Sequence, residues 1–254
     1  MARVARFNVT PVKSTALHHP DEIRIERSGA VGNREFFLVT EEGKLFGGSK
    51  LGPLVRIRAE HDPATEILAL SFPDGERVEG SAVPTGSRLE VDFWGRTVPA
   101  RLLEGPWEDA LGRFAGRPLR LARVERPGDG NDVRPITLVS LASVDELARS
   151  GGLDGLDPRR FRMTIELEGL GPYEEDTWSG RTVRVGEVLL RIGEPVPRCV
   201  VTTQDPETGA SDIPTLSLIH RTRGRTAEGE LVFGVYASVL DPGTVRVGDT
   251  AEPL

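Results

Sequence analysis

The sequence predicts a mostly β protein of the α+β class, built from two β domains with a few short helices. Three observations lead there. Glycine (29) and proline (19) are both abundant, which suits a chain of many short strands and turns. Short runs with strand periodicity recur at close spacing, separated by turn clusters such as Phe72-Pro73-Asp74-Gly75 and Phe93-Trp94-Gly95-Arg96. The stretch Arg126-Pro127-Gly128-Asp129-Gly130-Asn131-Asp132 reads as a linker and divides the chain into residues 1–125 and 126–254.

In order, residues 2–10 alternate apolar and polar side chains and read as a first strand. Residues 22–27 and the run ending Phe36-Phe37-Leu38-Val39 follow as strands, then 53–60, 66–72, 88–93 and 96–104. Strands at this spacing suggest an antiparallel barrel or sandwich. Trp107, Ala110, Leu111 and Phe114 make one apolar stripe of a short helix, and Leu119 to Ala122 returns as a strand. Residues 136–140 read as a buried strand. Ser143-Val144-Asp145-Glu146 has the pattern of a capping box opening a helix to Arg149, which Gly151-Gly152 ends. The N–H groups near Ser140 to Ser143 could then receive a phosphate, or the helix could simply be a capped surface helix. A strand pair at 182–185 and 188–192, a helix from Thr215 to Arg223, and strands at 233–236 and 243–249 complete the reading.

With 254 residues and 38% apolar content the chain can build a substantial core. Its single cysteine excludes an internal disulfide and any four-cysteine zinc or iron–sulfur site. The N-terminus lacks the apolar centre of a secretory signal, and no run approaches the roughly 20 apolar residues of a membrane helix. A net charge of −7 argues against nucleic acid or an anionic membrane as partner. These features fit a cytoplasmic protein. His18-His19 lacks a third ligand at usable spacing for a metal.

The segment most suggestive of chemistry is Pro195-Val196-Pro197-Arg198-Cys199, followed by Val200 to Gln204 and the turn Asp205-Pro206-Glu207-Thr208-Gly209. Two prolines stiffen the approach to the only thiol, and Arg198 sets a permanent cation beside it. A neighbouring cation favours the thiolate, which is both nucleophile and metal ligand.

Arg-Cys-Val-Val-Thr-Thr-Gln-Asp-Pro-Glu-Thr-Gly resembles the signature loop of MOSC domains, in particular the branch of the mitochondrial amidoxime reducing component and its bacterial relatives. The resemblance continues in Pro11-Val12-Lys13-Ser14, in Asn33-Arg34-Glu35-Phe36-Phe37-Leu38-Val39, in Phe161-Arg162-Met163-Thr164-Ile165, in Asp176-Thr177-Trp178, and in the last strands. Asn33 stands where the family has Asp, and Met163-Thr164 where it has Pro-Asn. The fold implied is an N-terminal β-barrel-like domain packed on a MOSC β-barrel.

By that resemblance Cys199 binds molybdenum and is the catalytic residue. Lys13, Ser14, Arg34, Arg134, Arg162 and Arg198 are the cofactor-binding set for the anionic molybdenum cofactor, Mo-molybdopterin. Arginine's fixed fork suits phosphate oxygens and pterin carbonyls. The implied activity is reduction of N-hydroxylated or N-oxygenated small molecules. The chain has neither the cysteines for an iron–sulfur cluster nor a Gly-rich dinucleotide fingerprint, so electrons are expected from a separate donor protein. Two other classes stay open: a carrier for molybdenum cofactor or sulfur, and a metal-free thiol enzyme pairing Cys199 with His220.

Overall fold

The computed structural model describes all 254 residues. The first half forms β1 (Ala2–Phe7), β2 (Glu22–Glu26), β3 (Gly29–Ala30), β4 (Phe36–Val39), β5 (Leu45–Phe46), β6 (Arg58–Asp62), β7 (Ile67–Ser71), β8 (Arg77–Ser81), β9 (Arg88–Phe93), β10 (Arg96–Leu102), α1 (Trp107–Ala115) and β11 (Arg120–Val124). The second half forms β12 (Ile136–Ser140), α2 (Leu141–Ser150), β13 (Ile165–Glu168), β14 (Thr182–Val185), β15 (Val188–Pro197), α3 (Thr215–Arg223), β16 (Val232–Asp241), β17 (Gly243–Arg246) and β18 (Thr250–Pro253). The mostly β expectation holds.

Seven strands close a barrel in the order β1-β13-β12-β16-β15-β14-β18, with only β12 and β13 parallel. Its interior is apolar: Val4, Phe7, Leu138, Ile165, Leu190 and Val235 are each essentially inaccessible. β1 comes from the start of the chain yet pairs with both β13 and β18, and β17 pairs with β2. A barrel is stable only when no edge is left unpaired, and β1 fills the gap. Residues 1–30, N-terminal to the division expected from sequence, thus complete sheets of the C-terminal half.

The rest of the N-terminal half is a five-stranded sheet, β5-β4-β11-β10-β9, facing a three-stranded sheet, β6-β7-β8. Leu38 and Leu121 of the first pack with Leu68 and Leu70 of the second and with Trp107 of α1. The helical stripe expected at 107–114 is therefore core.

Three local readings need correction. Residues 53–56, expected in a strand, lie in a 3-10 turn over Gly52–Arg56 that begins beside Pro53, whose missing N–H suits a helical start. β15 does not stop at 192 but continues through both prolines to 197, with register irregularities at each proline that let the ladder skip the absent donors. α2 begins at Leu141, not Ser143. The Ser140 N–H donates to Glu175 Oε1 (3.2 Å) and Ser143 Oγ donates to Glu175 Oε2 (2.8 Å). A fully buried carboxylate from a distant turn therefore occupies the helix start that the sequence left open for a phosphate.

Candidate functional site

β15 delivers the chain to Cys199, which is exposed and extended (φ −119°, ψ −179°) at the head of a 3-10 turn, Val200–Thr203. The turn after it is as the sequence predicts. Asp205 Oδ1 accepts from the N–H groups of Glu207 (3.1 Å) and Thr208 (2.8 Å), and Gly209 closes the turn at φ +76°.

The loop is fastened on two sides. From Pro158–Phe161, the buried Arg160 guanidinium forks onto Asp212 (2.6 and 2.7 Å), and Arg159 reaches Glu207 (3.0 Å). From the N-terminal half, Gly48 O accepts from Gln204 Nε2 (2.8 Å), and Gly52 lies against the backbone of Gly209.

Beside the loop the fold gathers cations. Lys13, only 9% exposed, donates from Nζ to Asp132 Oδ1 (2.6 Å) and Gly130 O (3.0 Å). Arg34 Nη1 donates to Asp132 Oδ2 (3.1 Å) and its Nη2 to Arg162 O (3.3 Å). Arg162 Nη2 donates to Thr15 O (2.7 Å), and Arg198 Nη1 donates to Met163 Sδ (3.3 Å). Met163, which departs from the family's Pro, thus gives Arg198 a soft acceptor. Ser14, Arg34 and Arg162 all sit at positive φ (75°, 56° and 50°), which L-residues adopt at a cost. Such strain concentrates where function needs a fixed geometry.

The electrostatics record the crowding. Burial, with Arg34 and Arg162 nearby, pushes Lys13 down to about 8 against the pull of Asp132. Arg162 is driven down by burial and by Arg34, and Arg198 by burial. Burial would raise Asp132, but Lys13 and Arg34 outweigh it and hold its carboxyl well below the usual range. Tyr236, 4% exposed, is pushed up to about 12 by burial and then by Asp132.

Two family models match the chain, the MOSC N-terminal beta barrel domain over residues 1–112 and the MOSC domain over residues 125–252. The chain belongs to the MOSC family. It is 32% identical to human mitochondrial amidoxime-reducing component 1, across 97% of this chain and 81% of the human protein. It is 27% identical to the Danio rerio protein of the same name, across 87% of this chain and 74% of that one. With the Mus musculus protein it shares 35% identity over 47% of this chain, and it spans only 36% of the mouse protein's length. Among solved structures, the YUAD protein of Bacillus subtilis is alike in fold, with a TM-score of 0.50 over 99% of this chain and 94% of that one, at 16% identity.

In this MOSC chain the cluster draws on both matched regions. Lys13, Ser14 and Arg34 come from the N-terminal one, and Arg162, Arg198 and Cys199 from the C-terminal one. Ser14 Oγ accepts from Gly48 N–H (3.0 Å), which ties the Lys13 turn to the segment that holds Gln204. Arg134 is not part of the cluster, because its guanidinium pairs with Glu194 on exposed surface (3.0 Å). His220 is exposed near the end of α3. The rings of His18 and His19 each hydrogen-bond a backbone carbonyl, of Ala59 and Phe7. No helix of the structure is long and apolar enough to cross a membrane.

Sequence reasoning missed two members of this MOSC site. Asp132, the counter-ion of Lys13 and Arg34, was read only as part of a linker. Tyr236 was read only as a residue of a late strand. An acidic residue three positions before a proline that follows an arginine, Asp132-Val133-Arg134-Pro135, is the available signal for the first, and nothing local marks the second.

A pH dependence follows for the cofactor-free protein. The folded value of Lys13, about 8, lies below the roughly 10.4 of a free lysine, so between them the unfolded chain binds more protons. Stability attributable to Lys13 should therefore rise with pH from about 8 to 10, by up to about 3 kcal/mol. Tyr236 works in the opposite direction above pH 10, because its folded value is raised. Urea unfolding at pH 7.5 and 10 of wild type and Lys13→Met checks this. A pH response that does not differ between the two would refute it.

Proposed function

We propose that this MOSC chain is a molybdenum-cofactor-dependent oxidoreductase that reduces N-hydroxylated or N-oxygenated small molecules, with electrons from a separate donor protein. The observation that carries this is one arrangement: an exposed thiol, Cys199, beside four gathered cations, Lys13, Arg34, Arg162 and Arg198, whose only shared carboxylate is Asp132. The donor set fits the cofactor. Arg198 Nε is buried with no hydrogen-bond partner, and the cluster sets four cations against one carboxylate, Asp132. An anionic phosphate and pterin would answer both, and a thiolate is a soft donor for the metal.

In this reading Lys13, Arg34, Arg162 and Arg198 bind the cofactor's anionic and carbonyl oxygens, and Cys199 ligates the metal. The cofactor, when bound, supplies the two-electron redox centre. The chain's own part is to bind, orient and manage protons. Asp132 keeps Lys13 and Arg34 together without balancing all four cations, since it is a single carboxylate. Reducing an N-hydroxylated group to the amine or amidine takes two electrons and two protons and releases water. Tyr236, held well above the neutral range, keeps a proton on its phenol oxygen near Arg198 and Arg34. The human relative, an amidoxime-reducing component by name, supports the substrate class. The single cysteine supports an external electron donor.

The test is molybdenum content and turnover of protein made in a cofactor-competent host. Wild type should carry stoichiometric molybdenum and reduce hydroxylamine and benzamidoxime with a chemical reductant. Cys199→Ala should lose that reduction while its unfolding free energy stays within about 0.5 kcal/mol of wild type, because the thiol is exposed. Wild type without molybdenum, or undiminished turnover in Cys199→Ala, would count against the reading. Molybdenum without turnover would favour a carrier.

A further inference from the structure

Trp94 is the aromatic residue that the fold leaves most unexplained. It is 67% exposed, whereas Trp107 and Trp178 are buried at 0% and 2%. It occupies the tip of the β9–β10 hairpin, where Phe93 pairs with Arg96 and only Trp94 and Gly95 form the turn. Both turn residues have positive φ, 53° and 88°. That turn favours Asn or Gly at its first central position, and a tryptophan there is disfavoured by its Cβ and gains little burial in return. Local folding does not account for an indole at this point.

The tip is aimed by specific contacts. Phe93 is buried edge-to-face against Phe37, with ring centroids 5.0 Å apart. Arg96 Nη2 donates to Asn131 O (2.7 Å) and Asp129 O (2.9 Å), which locks the hairpin to the segment carrying Asp132. The result places Lys13 Nζ 5.3 Å from the Trp94 ring centroid. Lys13 is itself buried among the site cations, so the indole stands at the rim of that same site. Two other exposed apolar residues adjoin site residues in the chain: Val133 (61%) follows Asp132, and Val200 (43%) follows Cys199. The cationic floor thus has an apolar margin, and Trp94 is its one aromatic plane.

We infer that Trp94 selects substrates: its open indole stacks a planar aromatic or heteroaromatic group whose N-oxygenated end reaches into the site beside Cys199. This rests on the oxidoreductase reading above. Offset stacking on an indole, with the apolar area it covers, is enough to shift discrimination about tenfold. A substrate with no ring gains nothing from it. Trp94 is thereby a specificity residue and takes no part in the redox step.

The experiment compares kcat/KM for benzamidoxime, which has a ring, with kcat/KM for hydroxylamine, which has none, in wild type, Trp94→Ala, Trp94→Gly and Trp94→Phe, using a chemical reductant. The benzamidoxime-to-hydroxylamine ratio should fall about tenfold in Trp94→Ala and Trp94→Gly, mainly through KM for benzamidoxime, and stay near wild type in Trp94→Phe. Trp94→Gly also relieves the positive φ, so agreement of the two small variants separates stacking from backbone strain. A ratio within about twofold of wild type in both would overturn the proposal. So would a loss seen only when a donor protein supplies the electrons, which would make the indole a docking residue. Calorimetric binding of benzamidoxime to wild type and Trp94→Ala needs no turnover. If wild type reduces neither compound, the oxidoreductase reading fails, yet about tenfold weaker binding in the variant would still support the platform and equal binding would refute it.

Discussion

Gly209→Ala should lower unfolding stability by about 2–5 kcal/mol and the melting temperature by roughly 5–15 °C. Two costs combine. Gly209 holds φ +76°, where a Cβ costs about 1–2 kcal/mol. That Cβ would also overlap the backbone of Gly52 and Pro53, which has no flexible side chain to yield, and overpacking typically adds about 1–3 kcal/mol. Gly180→Ala is the control: its φ is +76°, but a Cβ there meets nothing within 4 Å, so only the backbone cost should remain. Calorimetry of the two variants side by side isolates the contact between the Cys199 loop and residue 52. Equal losses would mean that the contact carries no weight. The close approach also shapes the site. Gly48 and Gly52 bring Ser14 and the Lys13 turn up to the loop that bears the thiol, and no larger residue at 209 could close that gap.

Asp212→Ala should cost about 2–3 kcal/mol, because it strands the Arg160 guanidinium. The Arg160 side chain is 4% exposed, and Asp212 accepts both arms of its fork. Without that carboxylate the cation keeps Asp205 at 3.8 Å and Thr203 O at 3.4 Å. The loss sits below the 3–5 kcal/mol of a fully buried broken pair, since 42% of the Asp212 side chain is open to water and Asp205 remains. Arg160→Leu combined with Asp212→Ala should recover part of the loss, as removing both charges leaves none uncompensated. Urea unfolding of the two single variants and the double variant gives the coupling, and strict additivity would contradict the clamp. The pair acts on residues 203–212, just beyond Cys199, while Phe161 and Arg162 continue the same short turn into the cation cluster. One clamp therefore sets both the loop and an arginine of the cation cluster.

Strands, helices and most turns were legible because their signals are local. Residues 22–26 alternate exposed and buried as their sequence does, and α1 buries the stripe Trp107, Ala110 and Leu111. Two of the three errors arise where a partner distant in sequence supplies what the local segment lacks. Glu175 satisfies the start of α2 from 32 residues beyond Ser143, so the capping box at Ser143 to Glu146 is never used. β16 holds β15 through Pro195 and Pro197, where sequence alone argued for an end to the strand.

Sequence by itself determined the alternation of strands and turns, the family, the single thiol and the cations Lys13, Arg34, Arg162 and Arg198, because residue type and motif spacing are written along the chain. Only the tertiary structure decided how those charges are held. Asp132 becomes their counter-ion and Tyr236 their buried neighbour, while Arg134 leaves for Glu194. It also decided that β1 closes the barrel and that Trp94 stands beside Lys13. Charge balance and burial are sums over neighbours in space, and a linear pattern does not contain those neighbours until the barrel has closed.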